Sequence, residues 1–130
     1  MRILALDIGK KRIGLAISHS GIIASEYLTL ENNKDLLKKI SDILAKENIE
    51  KIIIGLPQNM DGTESVYAKE VLQFAEKLRK VTKIFILFED ERLTTKEAER
   101  QLREQGVSSE DLKKRIDQYA AKLILEQYLQ

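Results

Sequence analysis

The chain of 130 residues contains no cysteine and no tryptophan, one proline and one histidine. Without cysteine it has neither disulfides nor thiolate metal sites, and it is compatible with a reducing compartment. No apolar run approaches the roughly 20 residues of a membrane span, and only four apolar residues separate Arg2 from Asp7, too few for a signal peptide. We therefore expect a soluble, cytoplasmic protein that folds as a single domain over residues 1–130.

An excess of charge of either sign is also missing. The 22 lysines and arginines nearly balance the 21 acidic residues, which leaves a net charge of +1. Proteins that bind nucleic acids often have a strongly basic composition, and this chain does not. Any argument for nucleic-acid binding must therefore come from a local group of residues.

The order of the apolar segments predicts an α/β fold. Three extended segments come first, at 2–8, 12–18 and about 22–29, and their short connections force antiparallel neighbours. Two buried strands follow at 51–57 and 83–88, each after a helical pattern, which implies parallel strands with right-handed crossovers. The sequence thus predicts a five-stranded mixed sheet, an antiparallel meander followed by parallel strands, flanked by helices.

Four helices are predicted from apolar residues at helical spacing. Asn33 is a plausible N-cap for the first helix, and Gly106 ends the third, which runs through "LTTKEAERQLREQG". The last helix carries the small residues Ala120 and Ala121 on its apolar face, which would let it approach the sheet closely.

Three acidic features are predicted to meet at one edge of the sheet, because ligands of open α/β sheets collect beyond the carboxyl ends of parallel strands. Asp7 ends the first strand, the run "EDER" at 89–92 ends the last, and Asp117 borders the apolar face of the final helix. Clustered carboxylates repel unless a cation neutralises them, and oxygen ligands favour Mg²⁺ or Mn²⁺ over zinc. Two such ions would activate water against a phosphodiester.

Each of these acids also has an ordinary structural explanation. An aspartate before glycine is common in turns, "EDER" resembles a solvated loop, and Asp117 would pair with a lysine one turn away. The functional interpretation is favoured by two "KKR" triplets, at 10–12 and 113–115, which place cations beside two of the acids. Such cations would hold a phosphate backbone against the metal ions.

Four stretches spread over nearly the whole chain resemble one protein family. They are "LDIGKKRIGLAIS" (6–18), "IIIGLPQNMDG" (52–62), "DERLTT" (90–95) and "IDQYAAKLILEQYL" (116–129). Their order and spacing are similar to those of the YqgF family, the Holliday junction resolvase-like or pre-16S rRNA processing nucleases that share the RNase H fold. The resemblance is more specific than any single motif.

This resemblance implies a site and an activity. Asp7, Glu91 and Asp117 match the catalytic, metal-binding acids of a two-metal Mg²⁺ or Mn²⁺ site. The expected substrate-binding residues lie in three of the stretches: Lys10, Lys11, Arg12, Asn59 and Arg92. The implied activity is metal-dependent hydrolysis of RNA or DNA phosphodiesters, with a role in maturing the 5′ end of pre-16S rRNA.

The sequence departs from the family pattern at three places. His19 replaces an acid and receives no role, and Gln118 replaces a serine after Asp117. In many RNase H-like nucleases the second acid sits on the strand beside the first, but here that strand ends in "GLP" at 55–57. Glu91 therefore has to reach across from one strand further, a distance of about 10 Å.

Other functions remain open from the sequence. One is a Holliday junction resolvase-like DNA nuclease. Paired cuts in a junction would require a dimer, whereas a monomer suffices for the other functions. Another is a nucleic-acid-binding factor in ribosome assembly or transcription that hydrolyses weakly or not at all. An actin-like ATPase or sugar kinase is disfavoured, because 130 residues do not supply the second lobe that encloses the nucleotide.

Overall fold

The computed structural model describes residues 1–59, 61, 65–91 and 94–130. Strands and helices follow in the order β1 (Ile3–Ile8), β2 (Arg12–Ser18), β3 (Ser25–Glu31), α1 (Leu36–Lys46), β4 (Lys51–Pro57), α2 (Ala68–Val81), β5 (Phe85–Glu91), α3 (Thr94–Glu104) and α4 (Ser109–Leu129).

The five strands form one mixed sheet in the order β3-β2-β1-β4-β5. β1 pairs antiparallel with β2, and β2 pairs antiparallel with β3. β1 and β4 are parallel, as are β4 and β5. The predicted architecture, a meander followed by parallel strands, is confirmed.

Side chains alternate between two apolar cores, one on each face of the sheet. Leu4, Leu6 and Ile8 of β1 belong to the larger core, which also contains the apolar faces of α1 and α2. Ile3 and Ala5 belong to the second core, beneath α4. Asp7 continues this second series, so the alternation places its side chain on the α4 face.

The residues of the α4 face are unusually small, which lets the helix lie close to the sheet. Ala5 and Ala16 from the sheet and Ala121 from α4 are all fully buried in this core. Ser108 is the N-cap of α4, and its Oγ accepts a hydrogen bond from the Asp111 amide at 3.2 Å. α3 packs on the first half of α4 through a third apolar cluster.

Two predicted strand boundaries are wrong. β3 begins at Ser25 and not near residue 22, because Ser20 Oγ accepts hydrogen bonds from the amides of Ile22 and Ile23 and turns the chain there. β5 spans Phe85–Glu91 and not 83–88, so most of "EDER" belongs to the strand.

The predicted N-cap of the first helix is also wrong. Asp35 precedes α1, and Asn33 Oδ1 instead accepts a hydrogen bond from the Asp35 amide, which closes a turn before the helix. Within the described ranges, no helix combines the length and apolar character needed to cross a membrane.

Candidate active site

Asp7 is flanked by glycine on both neighbouring strands. Gly14 of β2 lies directly opposite it in the antiparallel register. On the other side, Leu6 pairs with Ile54 of β4, so Gly55 is the next residue along that strand. Glycine inside a strand is typical of positions where other groups approach the backbone closely, and each of these two glycines admits one further acid.

Gly14 admits the backbone of α4. A Cβ at this position would lie 1.9 Å from the carbonyl oxygen of Asp117 and 2.2 Å from its carbonyl carbon. Any side chain would therefore push the helix off the sheet. The close approach predicted for the alanines of the last helix is found for Ala121, which is buried against the sheet, whereas Ala120 is buried in the cluster shared with α3. Gly14 admits the helix backbone itself and so brings Asp117 to the sheet edge.

Gly55 admits the side chain of Glu91. The register pairs Glu91 with Pro57, and a Cβ at Gly55 would lie 2.8 Å from Glu91 Oε2 and 2.6 Å from Ile124 Cδ1. The glutamate side chain therefore lies back across β4 and reaches Asp7, with which its carboxyl shares a hydrogen bond. Asp7 and Glu91 lie on strands that are separated by β4. The Glu91 side chain spans this separation above Gly55, which has no side chain.

The two carboxyls titrate as a pair. Burial raises the pKa of Asp7 well above its ordinary value, and the charge and hydrogen bond of Glu91 and the charge of Asp117 raise it further. Burial also raises the pKa of Glu91, against the opposing effect of the hydrogen bond with Asp7. Burial of both carboxyls and their mutual repulsion therefore favour protonation of Asp7, and the titration of each carboxyl depends on the state of the other.

Asp117 has a different partner. Arg12 Nε donates a hydrogen bond to Asp117 Oδ2 at 2.9 Å, and this bond raises the pKa of the arginine. Asp117 is 22% exposed and Arg12 is 52% exposed. Among the residues that the structure describes, no three histidine, aspartate or glutamate side chains are arranged as ligands of one metal ion.

The three predicted acids nevertheless line one cleft of about 400 Å³. Tyr67, Gln58 and Lys96 also line it, together with Thr94 and Thr95 of α3. The sequence patterns gave no indication that Tyr67 or Lys96 would lie at a site. Burial and the charges of Glu70, Asp7 and Glu91 raise the pKa of Tyr67, in keeping with its position beside the acids.

Of the predicted substrate-binding residues that the structure describes, none lines this cleft directly, although Lys10 and Arg12 contact residues that do. Lys10 Nζ lies 5.9 Å from the centroid of the Tyr67 ring. Lys11 is exposed and lines a shallow cavity with Lys10 and Arg12. Asn59 is exposed beyond the end of β4. Arg92 lies outside the described residues.

The second basic triplet and two departures from the family pattern have mainly structural contacts. Arg115 Nη2 donates to Glu26 Oε2 at 2.7 Å, which ties α4 to β3. Gln118 Nε2 donates to the other oxygen of Glu26 at 3.2 Å. His19 is exposed at the end of β2, with Nε2 3.4 Å from a Glu47 carboxylate oxygen.

A mixed sheet with this strand order and with carboxylates at its edge belongs to the RNase H-like class of nucleases. Two solved structures share the fold. The fowlpox virus resolvase in complex with Holliday junction DNA aligns with a TM-score of 0.60 at 15% identity, over 99% of this chain and 97% of its own. Thermus thermophilus RuvC in complex with a Holliday junction aligns with a TM-score of 0.53 at 12% identity, over 95% and 92%.

The chain itself belongs to the RuvX (YqgF) family. The family model, described as Holliday junction resolvase, matches residues 1–130. A protein of Caldanaerobacter subterraneus named "Putative pre-16S rRNA nuclease" is 44% identical over 99% of this chain and 96% of its own. A Bacillus cereus protein of the same name is 40% identical, over 99% and 98%. The predicted family, fold and nuclease class are confirmed.

Proposed function

We propose that this nuclease uses divalent metal ions, and that Asp7, Glu91 and Asp117 carry out phosphodiester hydrolysis in the cleft. One observation carries the proposal: the Glu91 carboxyl crosses β4 above Gly55 and meets Asp7 in a cleft that Asp117 also lines. Bringing two carboxyls together against their mutual repulsion has no structural benefit of its own, so the arrangement points to a bound cation.

The donor set fits a hard divalent ion. Every described influence on the pKa of Asp7 raises it, so among the described residues no cation offsets the charge of the pair. Mg²⁺ and Mn²⁺ prefer carboxylate oxygens and would supply the missing positive charge. Asp7, Glu91 and Asp117 would hold such ions, which supply activated water and stabilise the leaving oxygen of the phosphodiester.

The chain's own cations have a separate task. Lys10, Lys11 and Arg12 follow Asp7 after two intervening residues, and the lysines are exposed. They would contact the phosphate backbone and position the scissile bond, which sets register without reading sequence. We assign the same role to Asn59 and to Arg92.

We propose the 5′ end of pre-16S rRNA as the substrate and the cytoplasm as the place of action. Two relatives are named "Putative pre-16S rRNA nuclease", which supports pre-16S rRNA as the substrate, and the family resemblance implies its 5′ end. A four-way DNA junction is the second candidate. It is favoured by the family description and by the junction DNA bound to two proteins of the same fold.

The test is a cleavage assay on two substrates, an RNA that carries the 5′ leader of 16S rRNA and a four-way DNA junction. Each is incubated with Mg²⁺, with Mn²⁺ or with EDTA. We expect cleavage with the metals only, and we expect Asp7→Asn and Glu91→Gln to reduce the rate by more than the roughly 100-fold seen for outer-shell changes. Asp42→Asn, at an exposed acid on α1, is the matched control and should leave the rate unchanged.

The outcomes separate the candidates. Cleavage of the RNA alone assigns the pre-rRNA role, and symmetrical cuts in the junction by a dimer assign the resolvase role. Salt-sensitive binding without cleavage in either metal would instead identify a nucleic-acid-binding factor and overturn the proposal.

A further inference from the structure

A second cavity adjoins the carboxylate cleft, and Tyr67 lines both. It has a volume of about 260 Å³, and its lining includes Lys10, Asn32, Phe74 and Lys77. The cleft of the acids shares Tyr67 and Ile8 with it as lining residues. A ligand that occupies the second cavity would therefore be the immediate neighbour of a group held by Asp7 and Glu91.

Tyr67 is a fixed aromatic surface at this boundary. It packs against the larger apolar core and is only partly exposed, and Phe74 lies two turns further along the same face of α2. Lys10 Nζ lies 5.9 Å from the centroid of its ring. Lys10 is an exposed residue, so its side chain can move aside and give a flat ligand access to the ring.

The charges of the cavity fit a nucleotide. Lys10 and Lys77 contribute two positive charges, against one negative charge from Glu70. Lys10 reaches the cavity from the turn after β1, and Lys77 reaches it from α2, so the cations stand on different elements around the aromatic ring. An aromatic ring combined with cations is the usual composition of a site for single-stranded nucleic acid.

We propose that this second cavity is a subsite for one unpaired nucleotide next to the scissile phosphate, with its base stacked on Tyr67 and its phosphate held by Lys10 and Lys77. That the neighbouring phosphate is the one cleaved depends on the proposed nuclease function. A base inside a duplex has both faces covered by its neighbours and cannot stack on a side chain. The protein therefore selects substrates that are unpaired at this nucleotide, and it rejects continuous duplex.

The test measures stacking directly and needs no cleavage. The full-length protein is mixed in Ca²⁺ with oligonucleotides that carry one 2-aminopurine, either as single strands or in a blunt duplex, in RNA and DNA series. Stacking on an aromatic side chain quenches 2-aminopurine fluorescence. We expect the wild-type protein and Tyr67→Phe to quench the single strands and to bind them at least fivefold more tightly than the duplex.

The decisive variant is Tyr67→Leu, which keeps an apolar side chain and removes the ring. It should lose the quench and bind single strands roughly ten- to 100-fold more weakly, as aromatic stacking residues do, with duplex affinity changed less than twofold. Quenching and affinity equal to those of the wild type would overturn the proposal, and so would an equal loss for both strand states. The RNA and DNA series show which sugar the site accepts.

A second variant pair decides the matter if Tyr67→Leu does not fold. Lys77→Ala should weaken single-strand binding several-fold, whereas Lys80→Ala, at an exposed lysine one turn further on the same helix, should not. Equal effects of the two alanines would overturn the subsite. Quenching by a protein that never cleaves would refute the proposed function alone, and cleavage that is indifferent to Tyr67→Leu would refute the subsite alone.

Discussion

On each side of Asp7 a glycine lets a further acid approach, but the two acids are brought there by different structural means. On the Gly14 side a piece of rigid backbone approaches the strand, and the acid that it brings, Asp117, is neutralised by Arg12. On the Gly55 side a flexible side chain approaches, and the acid that it brings, Glu91, is held against Asp7 and raises its pKa.

This difference shows which charges the protein compensates with its own residues. One acid of the three is balanced by an arginine, whereas among the described residues no cation balances the buried pair. Since burial of uncompensated charge is costly, the pair reduces stability when the protein is free, and a divalent ion would relieve that cost. Under the proposed function, the Asp7–Glu91 half of the site serves metal binding, while the Gly14 half holds the helix in place.

The largest expected effect comes from comparing the two glycines. Gly14→Ala places a methyl group 1.9 Å from a backbone oxygen of α4, so the helix has to move. We expect a loss of more than about 3 kcal/mol in the free energy of unfolding, above the usual range for overpacking. Gly55→Ala meets only the ends of the Ile124 and Glu91 side chains, and we expect a loss of about 1 kcal/mol.

Urea unfolding followed by circular dichroism measures both variants. Gly55→Ala should have a small effect on stability but a large effect on the cleavage rate, because it displaces the Glu91 carboxyl while the fold remains. A rate reduced at least about tenfold in a well-folded protein is the expected result, in line with other changes that shift a metal ligand. Equal stability losses for the two variants would show that the two approaches do not differ as described.

The next effect is on stability and pH. In the folded chain the pKa of Asp7 is raised, chiefly by burial, above the value of about 3.9 that it has when unfolded. The unfolded state therefore loses its proton first, and the stability of the wild type falls as the pH rises from about 4 through the raised pKa. Asp7→Asn removes this term.

Without metal, Asp7→Asn should be more stable than the wild type at pH 7 by on the order of 1 kcal/mol or more, since one pKa unit corresponds to about 1.4 kcal/mol. The difference should shrink towards pH 4. Addition of Mg²⁺ should stabilise the wild type and not the variant. A variant that is less stable than the wild type at pH 7 in EDTA would contradict this interpretation.

The smallest effect is expected at Arg12. Its ion pair with Asp117 is half exposed, so Arg12→Ala should change the free energy of unfolding by less than about 1 kcal/mol. Nucleic-acid affinity should fall several-fold, and the slope of log affinity against log salt should decrease by about one. Lys39→Ala, at an exposed position on α1, serves as the control and should alter neither.

Local sequence patterns predicted much of the fold. Alternating and helical spacings placed most strands and helices correctly, and short connections predicted the mixed sheet. The errors fall where side chains of the turns decide the outcome, as at Ser20 and Asn33, whose hydrogen bonds end or delay an element. The role of Tyr67 was missed, because spacing alone does not distinguish a core side chain from one that faces a cleft.

By itself the sequence determined the fold class, the family and three acids at or near the carboxyl edge of the sheet, because these depend on short-range periodicity and on motifs within the chain. Only the tertiary structure decided how the acids are used. The Arg12–Asp117 bond joins residues 105 positions apart, and the path of Glu91 to Asp7 depends on the β4–β5 register that leaves Gly55 beneath it. Such contacts are set by helix packing and strand register, which no local pattern encodes.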